Sequence, residues 1–157
     1  MAIAISLKTY LDSRGVPFDV LPHMRTAHAL SSARAVGVPA DEMAKGVLMK
    51  HPNGYVLAIV PASREVNTDV LSAYMERPLD LASEDEVAEI FEDCDTGAIP
   101  PVSKAYGIEG VIDEALDNAH DIYFEGGDHR SLIHISGRDF TEMMAEVPHA
   151  AISAPRR

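Results

Sequence analysis

Cysteine is almost absent from this chain of 157 residues, and long apolar runs are absent altogether. The single thiol, Cys94, excludes an intrachain disulfide, which fits a reducing compartment and predicts a cytoplasmic location. The longest strongly apolar run, Tyr55 to Ala62, is too short to cross a bilayer. The apolar start, Ala2 to Ile5, has neither a basic region before it nor a long hydrophobic core, which argues against a signal peptide. We therefore expect no membrane partner.

Basic residues are also scarce, since 13 lysines and arginines stand beside 25 aspartates and glutamates and give a net charge of −12. This balance disfavours loose attraction to nucleic acid or to anionic membranes. A role on RNA would need a local basic patch, and its candidate members are Lys45, Lys50, Lys104, Arg130 and Arg138. The acidic residues concentrate in two segments, 84–95 and 113–125. We expect both to form a solvated acidic surface.

The length fits one domain with a real core, and 46% hydrophobic with 24% charged residues is ordinary for a globular protein. Strands and helices mix without a regular alternation, which predicts an α+β fold around a mixed sheet. We expect a single domain over residues 1–153 and a loose C-terminal tail over 154–157.

Local signals place most of the elements. Two apolar runs, 46–49 and 55–60, flank His-Pro-Asn-Gly and predict a hairpin, with both strands covered on both faces. Helix caps are predicted at Asn67 or Thr68, at Ser83 with Glu86, and at Ser136 with Asp139. The predicted helices are 7–13, 29–36, one ending at 75, one ending near 91, and 138–147. The other predicted strands are 17–21, 110–112, 122–124 and 132–135.

The segment Gly97-Ala98-Ile99-Pro100-Pro101-Val102-Ser103 predicts the wall of a small-ligand pocket. Two prolines remove two backbone donors and hold the segment extended, while Gly97 and Ala98 allow a close approach to the main chain. Because Pro100 and Pro101 cannot donate, any carbonyl-binding N–H must come from residues 97–99 or 102–103.

Two further features combine charge with a suitable position. Lys45 opens a buried-looking strand, where it is either an edge lysine whose stem reaches water or an ammonium held at a pocket. Gly126-Gly127-Asp128-His129-Arg130-Ser131 is typical of a hairpin turn, and with His129 and Arg130 it could also bind an anion.

Other kinds of chemistry lack support. The seven histidines show no zinc-site spacing, so we expect no metal and no cofactor. Cys94 lies between Asp93 and Asp95, whose charge disfavours a thiolate, and Ser103 follows Pro-Pro-Val rather than a nucleophile elbow. His134, inside an apolar strand, is interpreted as a satisfied core or pocket-facing residue. Any reaction here would depend on positioning and electrostatics around a water.

Four motifs together resemble one family. They are His23-x-x-Thr26, Ala44-Lys45-Gly46, the Gly97–Ser103 loop, and Ile122-Tyr123-Phe124-Glu125-Gly126-Gly127 followed by a strand. In this order, over nearly the whole chain, they resemble the YbaK/prolyl-tRNA-synthetase editing-domain family of aminoacyl-tRNA deacylases. The resemblance implies a single α+β domain with a mixed, barrel-like sheet, and hydrolysis of the ester that joins a wrong amino acid to tRNA.

The resemblance also implies a set of site residues. The family lysine matches Lys45, and its glycine–proline loop makes Gly97 and Ala98 the other catalytic candidates. The implied substrate-binding residues are Thr26, His28, Ile99, Pro100, Pro101, Ser103, Gly126, Gly127, His129 and Arg130. Lys45 would hold either the phosphate of the terminal adenosine or the ester carbonyl, and a small amino acid would lie against Gly97, Ala98 and the prolines.

The expected partner is the 3′ end of a mischarged tRNA, with an aminoacyl-tRNA synthetase or another carrier as a further partner. The net charge of −12 predicts weak, salt-sensitive affinity for that tRNA. A different hypothesis is a non-catalytic regulatory module that uses the same pocket to bind a small ligand or a protein. The acidic surface and the lack of an evident general base favour that alternative.

Overall fold

Three of the described helices begin at the side-chain caps that the sequence predicts. The computed structural model describes residues 3–24, 26 and 29–156. Its helices are α1 (Ile5–Ser13), α2 (Ala29–Val36), α3 (Thr68–Met75), α4 (Glu84–Ile90) and α5 (Gly137–Met143), with short 3-10 helices at Ala40–Glu42, Ser103–Tyr106 and Glu114–Leu116. Asn67 caps α3, a capping box of Ser83 and Glu86 starts α4, and Ser136 caps α5. Among the described helices, none has the length and apolar character of a membrane span.

Within the described residues, ten strands form three sheets. The strands are β1 (Asp19–Pro22), β2 (Ala44–His51), β3 (Gly54–Pro61), β4 (Arg64–Val66), β5 (Asp80–Leu81), β6 (Glu109–Asp113), β7 (Asp121–Glu125), β8 (Ser131–Ser136), β9 (His149–Ala150) and β10 (Ser153–Pro155). The largest sheet has the order β5-β2-β3-β6-β9, with β6 parallel to both β3 and β9 and the other pairs antiparallel. A single α+β domain around a mixed sheet is therefore confirmed.

The predicted hairpin is β2–β3, and β3 lies at the centre of the core. Leu57 and Ile59 pack into one cluster of buried residues, whereas Val56, Ala58 and Val60 pack into a second on the other face. The prediction of two covered faces is therefore confirmed for β3. It is wrong for β2, whose residues 45–47 are only partly buried because they line a cavity.

The antiparallel sheet β1-β8-β7 supplies the opposite wall of the site. A bridge between Met43 and Tyr123 connects β7 to the residue before β2. Contacts between β2 and β7 then bring the start of β2 close to the β7–β8 turn. This arrangement brings two distant sequence motifs, Lys45 and the Gly126–Gly127 turn, to the same side of the domain.

The C-terminal segment differs from its prediction. Ala154 and Pro155 are not a loose tail, because β10 pairs with β4. Asp113 anchors this segment by accepting hydrogen bonds from Ile152 N at 2.9 Å and Ser153 Oγ at 2.7 Å. The short strand also places Arg156 beside the start of β2, where it lines a small cavity with Lys45.

Helix α5 is shorter than predicted and ends at Met143 rather than Val147. Val147 N instead donates to Met144 O at 3.0 Å, in a turn just before Pro148. After Met144 the backbone N–H groups bond only three residues back, as Ala145 N does to Glu142 O at 3.3 Å, so the α-helical pattern ends before Pro148 is reached.

Candidate functional site

A cavity of about 300 Å³ lies between the start of β2 and the loop that begins at Gly97. Much of its lining is apolar or small: Ala44, Gly46, Val47, Leu48, Val87 and Ile99. Three charged residues also line it, namely Lys45, Glu84 and Glu125. A concave, mostly apolar cavity with a few polar groups has the character of a small-molecule site.

Lys45 reaches two cavities at once. It lines the main cavity and a smaller one of about 100 Å³ that it shares with Arg156 and the first two residues of α2, Ala29 and Leu30. Burial lowers the pKa of the Lys45 ammonium, and the charge of Arg156 lowers it further, although Glu65 acts in the opposite direction. Within the described ranges, no carboxylate lies at ion-pair distance from Lys45. Lys45 lies on the partly exposed start of β2, as expected of an edge lysine. It also lines the cavity, as expected of an ammonium held at a pocket.

The Gly97 loop contributes Thr96, Gly97 and Ile99 to the main cavity. Gly97 has φ +85°, a conformation that favours glycine. Ala98 is fully buried, and its N–H donates to Asp95 O at 3.1 Å. A candidate carbonyl donor is thus already occupied, which leaves the N–H groups of Gly97 and Ile99 on this side of the prolines.

The other members of this motif lie further from the cavity. Pro100 and Pro101 are buried and do not line it. Ser103 begins a 3-10 helix and lines a different cavity, beside Gly110 and Lys104. Ser103 Oγ approaches the backbone of Gly110 so closely that a Cβ there would lie 2.5 Å from it. The structure therefore does not bring Ser103 together with Lys45.

The second glycine loop holds the first one in place. Gly127 O accepts from Asp95 N at 2.7 Å, and Gly126 N donates to Ser131 O at 2.9 Å. Neither glycine lines the main cavity. The side chain of Arg130 is exposed, and its N–H already donates to Asp128 Oδ1 at 2.9 Å. The N–H groups of Gly126 and Arg130 are therefore occupied and are not available to an anion.

His129 is buried and connects the two loops. It adopts φ +59°, an uncommon conformation for a residue other than glycine, and its ring Nε2 bonds the carbonyl of Thr96. Its carbonyl accepts from Thr26 N at 3.3 Å, and Thr26 Oγ1 lies 2.5 Å from Ser32 Oγ. Thr26 is thus joined to the site through the backbone of His129 and through α2. His28 lies outside the described residues.

Glu125 is the site residue that sequence reasoning missed. It was assigned to a solvated acidic surface with Asp113, but the two residues are only 3% and 2% exposed. Burial raises the pKa of the Glu125 carboxyl, against the opposing influence of His23, Ser32 and His129. Alternation along β7 would not have revealed it, since Phe124 and Glu125 are both buried. The only available signal was its position between an apolar strand and a glycine pair.

The candidate basic patch is reduced by pairing. Lys50 lies 2.6 Å from Glu86, Lys104 lies 3.4 Å from Glu146, and Arg138 lies 3.4 Å from Glu142. Of the five candidate cations, Lys45 and Arg130 have no ion pair with a described carboxylate, and of these two Lys45 lines the main cavity. Arg156, which was not a candidate, lies beside Lys45.

Cys94 is unsuited to nucleophilic chemistry. Burial raises the pKa of its thiol to about 12, and the neighbouring charges of Asp93 and Asp95 act in the same direction. The prediction that a thiolate is disfavoured is confirmed, with burial as the larger cause. His134 is bound by Asp19 and Asp121 at 3.0 and 2.8 Å and lies at the surface rather than at the cavity.

Comparison with known proteins assigns the chain to a family. Residues 22–143 match the model of the aminoacyl-tRNA editing domain, so the chain belongs to that family. Proline–tRNA ligase of Thermosipho africanus is 34% identical over 71 residues, which cover 45% of this chain and 12% of the ligase. The enzyme of Fervidobacterium nodosum is 31% identical over 99 residues, covering 62% and 16%. The chain spans less than a fifth of these relatives.

Solved structures agree on the fold. A hypothetical protein of known crystal structure superimposes with a TM-score of 0.84 at 24% identity, covering 95% of this chain and 99% of its own. A candidate trans-editing enzyme for prolyl tRNA synthetase superimposes with a TM-score of 0.82 at 21% identity, covering 96% of each chain. The predicted family and the fold class that it implied are therefore confirmed.

Proposed function

We propose that this protein is an aminoacyl-tRNA deacylase that acts in trans and hydrolyses the ester of tRNA mischarged with a small amino acid. The observation that carries this proposal is the juxtaposition of Lys45 with Gly97 and Ile99 around one small, largely apolar cavity. Membership of the editing-domain family supports the reaction class, and similarity to proline–tRNA ligases supports a relation to the prolyl system.

The cavity suggests how the reaction would proceed. A short aliphatic side chain would lie against Ala44, Val47 and Ile99, and larger side chains would be excluded by volume. The N–H groups of Gly97 and Ile99 are the candidate donors to the ester oxygen as it gains negative charge. Water attacks the carbonyl carbon, the bond to the ribose oxygen breaks, and the products are the free amino acid and deacylated tRNA.

A panel of mischarged tRNAs tests the proposal. We expect the purified protein to release alanine, serine or another small amino acid from tRNA faster than spontaneous hydrolysis does, and to leave bulky aminoacyl esters intact. The measurement is loss of radiolabelled amino acid from each tRNA. No turnover on any small aminoacyl-tRNA would contradict the proposal, and tight binding without turnover would instead favour the non-catalytic regulatory module.

Lys45 and Arg156 provide the proposed contact for the phosphate of the terminal nucleotide. Both line the smaller cavity next to the main one, and within the described part of the chain neither lies at ion-pair distance from a carboxylate. Two unpaired cations at one point in a chain of net charge −12 form a local anion site despite the overall charge. This contact would supply the affinity that the net charge opposes.

Arg156→Ala tests this contact. We expect KM for a mischarged tRNA to rise about 5–10-fold, and the slope of log affinity against log salt to fall by about 1, because one phosphate contact is lost. We also expect the pKa of Lys45 to rise, since a neighbouring like charge is removed. Deacylation rates at several salt concentrations and a titration of the lysine by NMR measure the two effects. Arg138→Ala, which removes an exposed arginine paired with Glu142, is the matched control. An unchanged salt slope in the Arg156 variant would exclude the contact.

A further inference from the structure

Three buried side chains meet beside the Gly97 loop: His23, Glu125 and His129. Their side chains are between 2% and 5% exposed. His23 Nε2 lies 3.4 Å from Glu125 Oε1, and His129 Nδ1 lies 3.8 Å from Glu125 Oε2. Among the described residues, His23 Nε2, Glu125 Oε1 and His129 Nδ1 have no hydrogen-bond partner. A buried polar group left unpaired is destabilising, so three at one point require a physical cause.

In each histidine ring, the nitrogen that does not face Glu125 shows which of the two ring nitrogens carries hydrogen. His23 Nδ1 lies 2.6 Å from the carbonyl oxygen of Met24, and His129 Nε2 bonds the carbonyl oxygen of Thr96. Because a carbonyl oxygen can only accept, both of these nitrogens must carry hydrogen. In a neutral imidazole the remaining nitrogen is then a bare lone pair, and in both rings that nitrogen points at Glu125.

An ionised Glu125 between two neutral histidines would place acceptors against acceptors. The hydroxyl of Ser32 donates to Glu125 Oε2 at 3.2 Å, but no hydrogen serves the contact between Oε1 and His23. Burial raises the pKa of the Glu125 carboxyl, which also favours a bound proton. The other charged groups nearby are Lys45 and Glu84, which line the same cavity, and Asp128, which already accepts from Arg130 N and Ser131 Oγ.

We propose that Glu125, His23 and His129 share one proton, and that this proton makes Glu125 a positioning residue for the Gly97 loop. Glu125 acts through His129, whose bond to the Thr96 carbonyl fixes the residue before Gly97. When the proton leaves, a carboxylate faces two lone pairs, and repulsion displaces His129 together with Thr96. The role of the Gly97 loop in deacylation rests on the proposed function, whereas the shared proton rests on the geometry alone.

Glu125→Gln tests the role of the proton, because the variant keeps the shape of the side chain but cannot titrate. The amide donates N–H to a ring nitrogen at every pH, so it imitates the protonated carboxyl permanently. We expect the backbone amide signal of Gly97 in wild type to move in one transition as the pH is raised. In Glu125→Gln that transition should be absent. Glu89→Gln, a change of the same kind at an exposed position on α4, should behave as wild type.

Deacylation gives a second readout. After subtraction of spontaneous hydrolysis, we expect wild-type activity to fall about 10-fold as the pH rises through the transition, and the activity of Glu125→Gln to stay flat. A Gly97 signal that does not move in wild type, or that titrates identically in Glu125→Gln, would overturn the shared proton. Absence of deacylation by every form would instead count against the proposed function, and the NMR result would still decide the proton.

His23→Gln provides an independent arm if Glu125→Gln does not fold. Its amide donates to Glu125 Oε1 and stabilises the carboxylate, so the proton should leave at lower pH. A hydrogen bond to a charged group is worth about 1.5–3 kcal/mol, which corresponds to a downward shift of about 1–2 pH units in the Gly97 transition. An unchanged midpoint in this variant would contradict the proposal.

Discussion

Lys45→Ala is expected to lower kcat/KM for a mischarged tRNA by about 10²–10³-fold, the loss typical of removing one preorganised charge or donor from a reaction site. The ammonium is half-buried, lines both cavities and has no carboxylate partner among the described residues, so its charge is free to act on the substrate. Lys45→Met, which keeps most of the volume of the side chain, should lose as much as Lys45→Ala, because the loss is one of charge. Steady-state deacylation kinetics measure both.

Lys50→Ala is the matched control, since Lys50 lies five residues further along the same strand and its ammonium is held at 2.6 Å by Glu86. We expect wild-type kinetics from it. The division of the loss between kcat and KM then identifies the contact: a rise in KM alone indicates the nucleotide phosphate, and a fall in kcat indicates the ester oxygen. Full activity in both Lys45 variants would remove Lys45 from the mechanism.

The predictable parts of the fold are those governed by local chemistry. The hairpin at Asn53-Gly54 and the caps at Asn67, Ser83 and Ser136 depend on residues a few positions apart, and all of them form. Helix α5 ends earlier than predicted, where the bonds after Met144 reach only the third residue back. Contacts between distant segments could not be predicted in the same way. Strand β10 forms because β4 offers an edge and because Asp113 binds Ile152, the residue before β10.

In the candidate site, too, the features that depend on neighbouring residues could be predicted, and those that depend on distant residues could not. Lys45 and Gly97 were identified because a charge at the head of an apolar strand and a glycine before two prolines are unusual locally. The sequence does not show which backbone groups are already hydrogen-bonded. Nothing near Ala98 in the sequence indicates that its N–H donates to the carbonyl oxygen of Asp95. Glu125 was misassigned for a related reason. The partners that permit its burial, His23 and Ser32, lie about a hundred residues away in the sequence.

The stability of the domain is expected to depend strongly on Gly137, the first residue of α5. A Cβ at this position would lie 1.7 Å from the carbonyl oxygen of Ala119, while Gly137 N donates to His120 O at 2.7 Å. The obstacle is the backbone of Ala119, whose N–H donates to Leu116 O at 3.4 Å and whose neighbour His120 accepts the bond from Gly137 N, so it cannot move aside as a flexible side chain would. We expect Gly137→Ala to lower the free energy of unfolding by about 3 kcal/mol or more, and Tm by about 10 °C.

Gly15→Ala separates this clash from the general cost of replacing a glycine. Gly15 follows α1 with φ +64°, and a Cβ there meets no atom within 4 Å. Its replacement should therefore cost only the strain of the left-handed conformation, about 1–2 kcal/mol, and should lower Tm by clearly less. Thermal and urea unfolding of the two variants beside wild type measure the difference. Equal losses in both variants would show that the approach of Ala119 to α5 is loose, and that glycine is not required where α5 begins beside the residues leading into β7.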